Sequence, residues 1–353
     1  IIASLPTIQH VLDQGGSVVI LSHLGQPKSE VFEHALSLKP VAKRLAALLN
    51  LNVTFVNEPD DLPTLAPGEV ALIENTRFMS GEKSNDASLS QKLASLGDIF
   101  VMDAYATIHR AHASTEGVAA KAKKACTGLL LAKELKGIAK ITQSQEHPTV
   151  AIVGGSKVST KLKLLKSLID QVDTLIVGGG IANTLLAAKG FNIGKSLFES
   201  EWIPQAKALL QEAEDKGTLI PLPTDVIAST AIDQPEHAAV FEIGKLPNDY
   251  AIFDIGPKMI TQIHDIIIQA KTILWNGPVG VFEKPAYAKG TQAILESIAL
   301  NKGYSLAGGG DTLAAIAQLG DKQSISQIST GGGAMLSLLE RGDQPGLRHL
   351  PEQ

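Results

Sequence analysis

Four glycine-dense turns hold most of the chemistry this chain can do: Gly154-Gly155-Ser156-Lys157, Gly178-Gly179-Gly180, Gly308-Gly309-Gly310-Asp311-Thr312 and Ser329-Thr330-Gly331-Gly332-Gly333. Glycine lets the backbone reach positive φ and approach an anion with no Cβ in the way, and amides at a helix N-terminus then donate to phosphate oxygens. Lys157 and Lys161 stand four apart at a strand-to-helix turn, close enough in a first helical turn to face one phosphate chain. Asp311 is the discordant member, because a carboxylate inside a phosphate loop repels its ligand unless a divalent cation such as Mg²⁺ lies between them. The set reads as a nucleotide phosphate site. Each part taken singly has a plainer reading: a triple glycine makes a tight turn, and Lys161 alone is a solvated helix lysine. The recurrence of four loops with two lysines and an acid carries the assignment.

The first half of the chain carries different groups in a similar setting. His23 follows Val18-Val19-Ile20-Leu21, Arg77 follows Val70-Ala71-Leu72-Ile73, and His109 and Arg110 follow Ile99-Phe100-Val101-Met102. Each apolar run reads as a strand, so these four side chains gather at one sheet edge. Arginine presents a planar donor fork matched to carboxylate and phosphate, and the edge therefore suits a small, multiply anionic molecule. Either arginine alone is an ordinary surface ion pair; the repeated strand-end placement is what argues binding.

The elements that must position these groups are short apolar runs without alternation. Thr149–Val153 precedes Gly154, Thr174–Val177 precedes the first triple glycine, and Lys271–Trp275 precedes Asn276-Gly277-Pro278. Helical stretches from Lys161 to Val172 and from Ile181 to Lys189 follow the first two, which predicts an α/β fold of βαβ units around parallel sheets. Ligands of such sheets bind beyond the carboxyl ends of the strands. At 353 residues the chain is long for one core, and a helix from Gly128 to about Gln143, followed by Ser144 to Pro148, divides it into two domains, 1–143 and 144–337. A formal net charge of −5 argues against a nucleic-acid partner, and no apolar run approaches membrane-spanning length. The single cysteine, Cys126, rules out an internal disulfide framework and suits a reducing cytoplasm.

Eight strings, in order and over nearly the whole chain, carry a resemblance: SHLGQPK, ENTRF, DAYATIHRAHAST, GGSKVSTK, VGGGIANT, WNGPVGVFE, GGGDT and STGGGA. The chain resembles the phosphoglycerate kinase family, of the bacterial type. The two commonest nucleotide fingerprints, GxxxxGKS/T and an opening GxGxxG, are absent. The resemblance implies two Rossmann-like lobes, each a mostly parallel sheet flanked by helices, joined by a helix and a hinge. The N-terminal lobe would take 3-phosphoglycerate or 1,3-bisphosphoglycerate, and the segment 338–353 would return to complete it. The C-terminal lobe would take MgADP or MgATP. The implied reaction is the reversible phosphoryl transfer of glycolysis and gluconeogenesis, by a cytoplasmic monomer with no nucleic-acid or membrane partner.

Carried over by position, His23, Leu24, Gly25, Gln26, Arg77, His109 and Arg110 would bind the phosphoglycerate. Lys157, Gly310 and Gly333 would surround the transferring phosphoryl, and Lys161 would hold nucleotide phosphate. Gly155, Ser156, Gly309, Gly310, Thr312 and Asn276 would serve the phosphate chain, with Asp311 acting through Mg²⁺. Gly179, Gly180, Pro278, Gly280 and Val281 would form the adenosine slot, and Glu283 would bind the ribose hydroxyls. Gly331 to Gly333 serve equally as hinge or as helix-entry turn.

Departures from the family pattern temper these expectations. The chain begins at Ile1 without the family's first strand, its Arg-x-Asp-x-Asn-x-Pro loop and the arginine expected next, which is read as a truncation and predicts weak turnover beside intact nucleotide binding. Gln26 stands where the family carries arginine, Ala106 replaces a glycine, and Tyr105 a phenylalanine. Ala106 matters only if its φ is positive. Two alternatives stay open: a nucleotide-binding protein without kinase activity, and a dinucleotide-dependent dehydrogenase, against which stand the missing GxGxxG and Asp311.

Overall fold

Uninterrupted apolar runs become buried parallel strands. The computed structural model describes residues 1–28, 31–320 and 322–351. The chain divides into two units, Ile1–Leu135 with Arg341–Gln353, and Lys136–Glu340. The division falls inside the helix Leu129–Thr142, ahead of the 143/144 boundary read from the sequence. Residues beyond Leu135 already belong to the second unit: Gly137 lies against the Gln327 side chain, and the Lys140 ammonium sits 4.5 Å above the Tyr304 ring.

In the first unit, β1 (Val18–Ile20), β2 (Val53–Val56) and β3 (Val70–Ile73) form a parallel sheet in the order β1-β3-β2. Central β3 is buried along its whole length, which is why its run Val-Ala-Leu-Ile shows no alternation. A separate parallel pair joins β4 (Phe100–Met102) to β5 (Ala125–Thr127). The helix Lys39–Leu49 starts with proline in its first turn, ends at Asn50 in the left-handed region, and buries Ala42 and Leu45. The closing segment belongs here too, with Gly346 N donating to the Ile108 carbonyl at 2.8 Å and Arg348 paired to Glu116 at 3.0 Å.

In the second unit, five parallel strands run in the order β13-β12-β11-β6-β7: β6 Thr149–Val153, β7 Thr174–Val177, β11 Thr272–Asn276, β12 Tyr304–Ala307 and β13 Gln327–Ile328. Val150 and Ile152, two apart on β6, face a cluster with Trp275, Met259, Ile263 and Ile294. A second sheet of β8 (Asp225–Ser229), β9 (Ala239–Glu242) and β10 (Ala251–Ile255) is antiparallel. The sequence reading contains no such sheet, because β9 is exposed and irregular in its pattern. The helices after β6 and β7 span Val158–Ile169 and Gly179–Ala188, each starting earlier than expected. The reason is local: Gly179 and Gly180 are themselves the first residues of their helix, whereas Gly154-Gly155-Ser156 form a short connection that delivers Lys157 as the N-cap of Val158–Ile169.

Candidate active site

The order of the five-stranded sheet locates the second unit's site. From β6 the chain moves to β7 on one side, whereas β11 lies on the other, so strand order reverses between β6 and β11. The loops leaving these two strands diverge, and the crevice beyond their carboxyl ends is where open α/β sheets take ligands. Gly154 and Pro278 meet across it so closely that a Cβ on Gly154 would stand 1.7 Å from the Pro278 carbonyl oxygen. At the next loop, Gly309 adopts φ 104, a conformation other residues rarely reach, and lets the helix Gly310–Leu319 begin with its first amides free of a preceding side chain.

Three side chains tie these loops into one frame. Lys161 Nζ donates to the Gly154 carbonyl at 2.6 Å and to Asn276 Oδ1 at 2.7 Å. Asn276 Nδ2 donates to the Gly308 carbonyl at 2.7 Å, and Thr312 Oγ1 accepts from Gly277 N at 2.7 Å while donating to the Gly308 carbonyl at 2.9 Å. Asn276 and Thr312 are buried, so their side chains serve the frame. Burial lowers the Lys161 ammonium to about 8, opposed by the nearby Asp311 charge. Among the described residues Lys161 has only uncharged acceptors within bonding distance, the setting of a cation that gains from an anionic ligand.

A cleft of about 650 Å³ opens beside this frame. Its phosphate-loop end is lined by Gly155, Ser156 and Asp311, and its walls by Gly179, Gly180 and Pro278. Gly280, Val281 and Glu283 continue the lining. Lys157, Gly310 and Gly333 lie outside the cleft wall: Lys157 is the exposed N-cap of Val158–Ile169, Gly310 opens its helix, and Gly333 is the second residue of Gly332–Arg341. A Cβ at Gly310 or Gly333 would meet nothing within 4 Å. Lys195, Leu197, Ile232 and Phe253 also line the cleft, and no motif pointed to them. Lys195 and Leu197 come from one loop, Ile232 from the loop after β8 and Phe253 from β10, where only the apolar run Ala251-Ile252-Phe253 gives any signal. Asp254 is the one deeply buried acid in the wall, raised to about 7 by burial despite hydrogen bonds from Ile255 N at 2.9 Å and Gly290 N at 2.8 Å.

Mg²⁺ is usually held by one or two carboxylates plus substrate phosphates rather than by a cage of protein ligands. Asp311, exposed in the first turn of Gly310–Leu319 and facing the cleft, fits that pattern. No group of three or more His, Cys, Asp or Glu suited to a metal occurs among the described residues.

The first unit gathers the basic residues. Arg77 lies in the turn Thr76–Phe78 after β3, is 4% exposed, and donates from Nη1 to the Gly25 carbonyl; its buried Nε has no partner among the described residues. Asn75 fixes the facing loop by donating to the carbonyls of Leu24 at 2.8 Å and Leu36 at 2.9 Å. Arg110 Nε donates to His109 Nε2 at 3.2 Å, and the buried His109 Nδ1 has no partner among the described residues. Burial lowers His23 to about 4, with Arg77, Arg110 and His112 adding to the effect, and burial likewise lowers His109 and His112. At neutral pH the imidazoles are therefore uncharged and the guanidinium groups carry the field. Leu24, Gly25 and Gln26 are exposed. Ala106 is also exposed and is not among the residues with positive φ, so its methyl is unstrained.

A profile of the phosphoglycerate kinase family matches residues 1–342. The chain belongs to the phosphoglycerate kinase family. It is 47% identical over 351 residues to the phosphoglycerate kinase of Francisella tularensis subsp. novicida (strain U112), covering 99% of this chain and 90% of that protein. The phosphoglycerate kinase of Desulfovibrio desulfuricans is 46% identical over the same coverage. The fold superposes on the structure of phosphoglycerate kinase from Coxiella burnetii with a TM-score of 0.95 at 46% identity, covering 99% of this chain and 89% of that one. Phosphoglycerate kinase from Pyrococcus horikoshii OT3 gives a TM-score of 0.77 at 31% identity. Phosphoglycerate kinases are phosphotransferases that use a nucleotide and a phosphoglycerate, and the two alternatives left open by the sequence find no support in these comparisons. No helix among the described residues is long and apolar enough to cross a membrane.

Proposed function

We propose that the two basic and glycine-rich sites divide the substrates of reversible phosphoryl transfer between 1,3-bisphosphoglycerate and MgADP. The unit Lys136–Glu340 takes the nucleotide and the unit built around β1-β3-β2 takes the phosphoglycerate. The observation that carries this reading is Lys161, a half-buried ammonium at the sheet's switch point whose hydrogen-bond partners among the described residues are all uncharged. Gly155, Ser156, Gly309, Gly310 and Thr312 furnish or shape the phosphate loops, Asn276 orients Lys161, and Lys157 stands exposed at the helix N-cap to meet the transferring group. Gly310 and Gly333, open to solvent, let phosphate oxygens approach their amides. Gly179, Gly180, Pro278, Gly280 and Val281 enclose the adenosine, and Glu283 receives the ribose hydroxyls.

Phosphoryl transfer asks the protein for alignment and for positive charge around the equatorial oxygens, with little covalent work. Mg²⁺, when bound with the nucleotide, neutralises phosphate charge, and Asp311 is the residue that would hold it. Arg77 and Arg110 offer guanidinium forks to the phosphoglycerate, with His23 and His109 as neutral hydrogen-bonding neighbours and Leu24, Gly25 and Gln26 as the loop beside them. We read the protein as a cytoplasmic monomer without nucleic-acid or membrane partners, in keeping with its net charge of −5.

The test is a coupled assay of the chain with 3-phosphoglycerate and MgATP, beside calorimetric titration of each substrate. Turnover with saturable dependence on both substrates supports the reading. Binding of neither substrate would overturn it.

A further inference from the structure

One buried carboxylate in the first unit belongs to none of the roles above. Glu82 is 1% exposed and lies beneath the basic cluster. Its Oε1 accepts from Ser114 Oγ at 2.5 Å and from Thr76 Oγ1 at 3.3 Å, and its Oε2 accepts from Ser114 N at 3.0 Å. Its carbonyl accepts from Ala113 N at 2.9 Å, and His112 Nδ1 stands 3.7 Å from Oε1. Burial raises this carboxyl above its ordinary range, opposed by the Ser114 and Thr76 bonds and by the Arg77 charge.

These bonds join two segments that carry the two guanidinium groups. Thr76 immediately precedes Arg77. On the other side Ser114 and Thr115 sit in the turn Ala113–Gly117, and Thr115 Oγ1 donates to the Arg110 carbonyl at 2.8 Å while accepting from His112 N at 3.1 Å. Arg77 and Arg110 repel: the proximity of Arg110 is one of the influences that lower Arg77. A single carboxyl group hydrogen-bonded to both segments holds them against that repulsion and fixes the spacing of the pair before any ligand arrives.

We propose that Glu82 is the positioning residue of the anion pocket, holding the segment of Arg110 against the segment of Arg77 through Ser114 and Thr76. Glu82 touches no substrate in this scheme; it presets the two forks that do. The proposal rests on the reading of this pocket as the phosphoglycerate site, and it adds a determinant that the pocket's own side chains do not reveal.

The experiment is calorimetric titration of 3-phosphoglycerate, and separately of MgADP, into the full chain and into Glu82→Ala, Glu82→Gln and Ser114→Ala, with a thermal melt of each. Glu82→Ala is expected to weaken 3-phosphoglycerate by at least roughly tenfold, the equivalent of one lost charged hydrogen bond, and to leave MgADP within about twofold. Glu82→Gln restores affinity to within about threefold, because the amide keeps both Ser114 bonds once the serine hydroxyl reverses its direction. Ser114→Ala, which removes one hydroxyl and carries the test if Glu82→Ala fails to fold, weakens 3-phosphoglycerate by about threefold or more. Unchanged affinity in folded Glu82→Ala or Ser114→Ala overturns the proposal, as does a Gln variant as weak as the Ala variant. Failure of the unsubstituted chain to bind 3-phosphoglycerate would instead defeat the reading of the pocket, and the proposal with it.

Discussion

The ammonium of Lys161 and the side-chain carbonyl of Asn276, 115 residues apart in sequence, stand 2.7 Å apart, and the same asparagine reaches on to the Gly308 carbonyl at 2.7 Å. One amide thus couples the loops after β6, β11 and β12. Asn276→Ala leaves the buried Gly308 carbonyl and Lys161 each short of a partner. The expected cost is about 1–3 kcal/mol of stability, read from denaturant unfolding, together with a loss of MgADP affinity read by calorimetry. Normal stability with normal nucleotide binding would show that the coupling has no energetic weight.

Asp311 is expected to act on nucleotide only through Mg²⁺. Asp311→Ala should weaken ADP binding in the presence of Mg²⁺ and strengthen it or leave it unchanged in the absence of metal, since the substitution also removes a negative charge beside the phosphates. Titrations with and without Mg²⁺, on both proteins, give four affinities. Four equal values would remove Asp311 from the site.

The glycines divide into those whose space is closed and those whose space is open. Gly154→Ala forces a methyl into the Pro278 carbonyl and should destabilise the second unit and abolish nucleotide binding. Gly333→Ala, inside the helix Gly332–Arg341 with no neighbour within 4 Å, should raise stability by about 0.5–1 kcal/mol. If Gly333 lies against the transferring phosphoryl as proposed, the stabilised variant will turn over more slowly. Unaltered kcat would take Gly333 out of the catalytic set.

The imidazoles of the anion pocket give the site a pH dependence of definite sign. His23 is held at about 4 against an unfolded value near 6.5, and His109 and His112 are also lowered. Their neutral forms favour the folded state above the unfolded value, and that contribution is lost as pH falls from about 6.5 toward 4. A bound anion works in the opposite direction and raises these values. Binding of 3-phosphoglycerate near pH 6 should therefore take up protons, seen as a dependence of the calorimetric enthalpy on buffer ionisation heat. Proton release on binding would reverse the assignment of charge in this pocket.

Gln344 offers a test of packing apart from function. It is 1% exposed, and neither its Oε1 nor its Nε2 has a partner among the described residues. Gln344→Leu keeps the volume and removes both unsatisfied atoms, so stability should rise by about 1–2 kcal/mol. A fall in the unfolding midpoint would mean that an ordered water satisfies the amide.

The parallel strands and their loops were legible in the chain alone. Runs such as Thr149–Val153 and Val70–Ile73 are apolar on both faces, and only a strand covered on both sides can use them, so element type and the glycine turns after them were legible locally. The eight motif strings likewise determined the family, because their order over the whole chain is far more specific than any one of them. Helix starts differ by two or three residues from the sequence reading, because Gly179 and Gly180 look like loop yet form a first helical turn, and because the helix after Gly154-Gly155 begins at Val158, directly behind its N-cap Lys157. Only the tertiary structure decided which partners these residues take. Asn276 and Thr312, read from the sequence as phosphate contacts, also hold the loops to one another, while Lys195, Leu197, Ile232 and Phe253 joined the cleft from two loops and an antiparallel strand that carry no motif. Glu82 was invisible for the same reason: a glutamate in a polar turn reads as solvated, and only the approach of Ser114, 32 residues on, makes it a buried anion. Such roles are set by contacts between distant segments, and contacts of that kind leave no period or spacing in the chain.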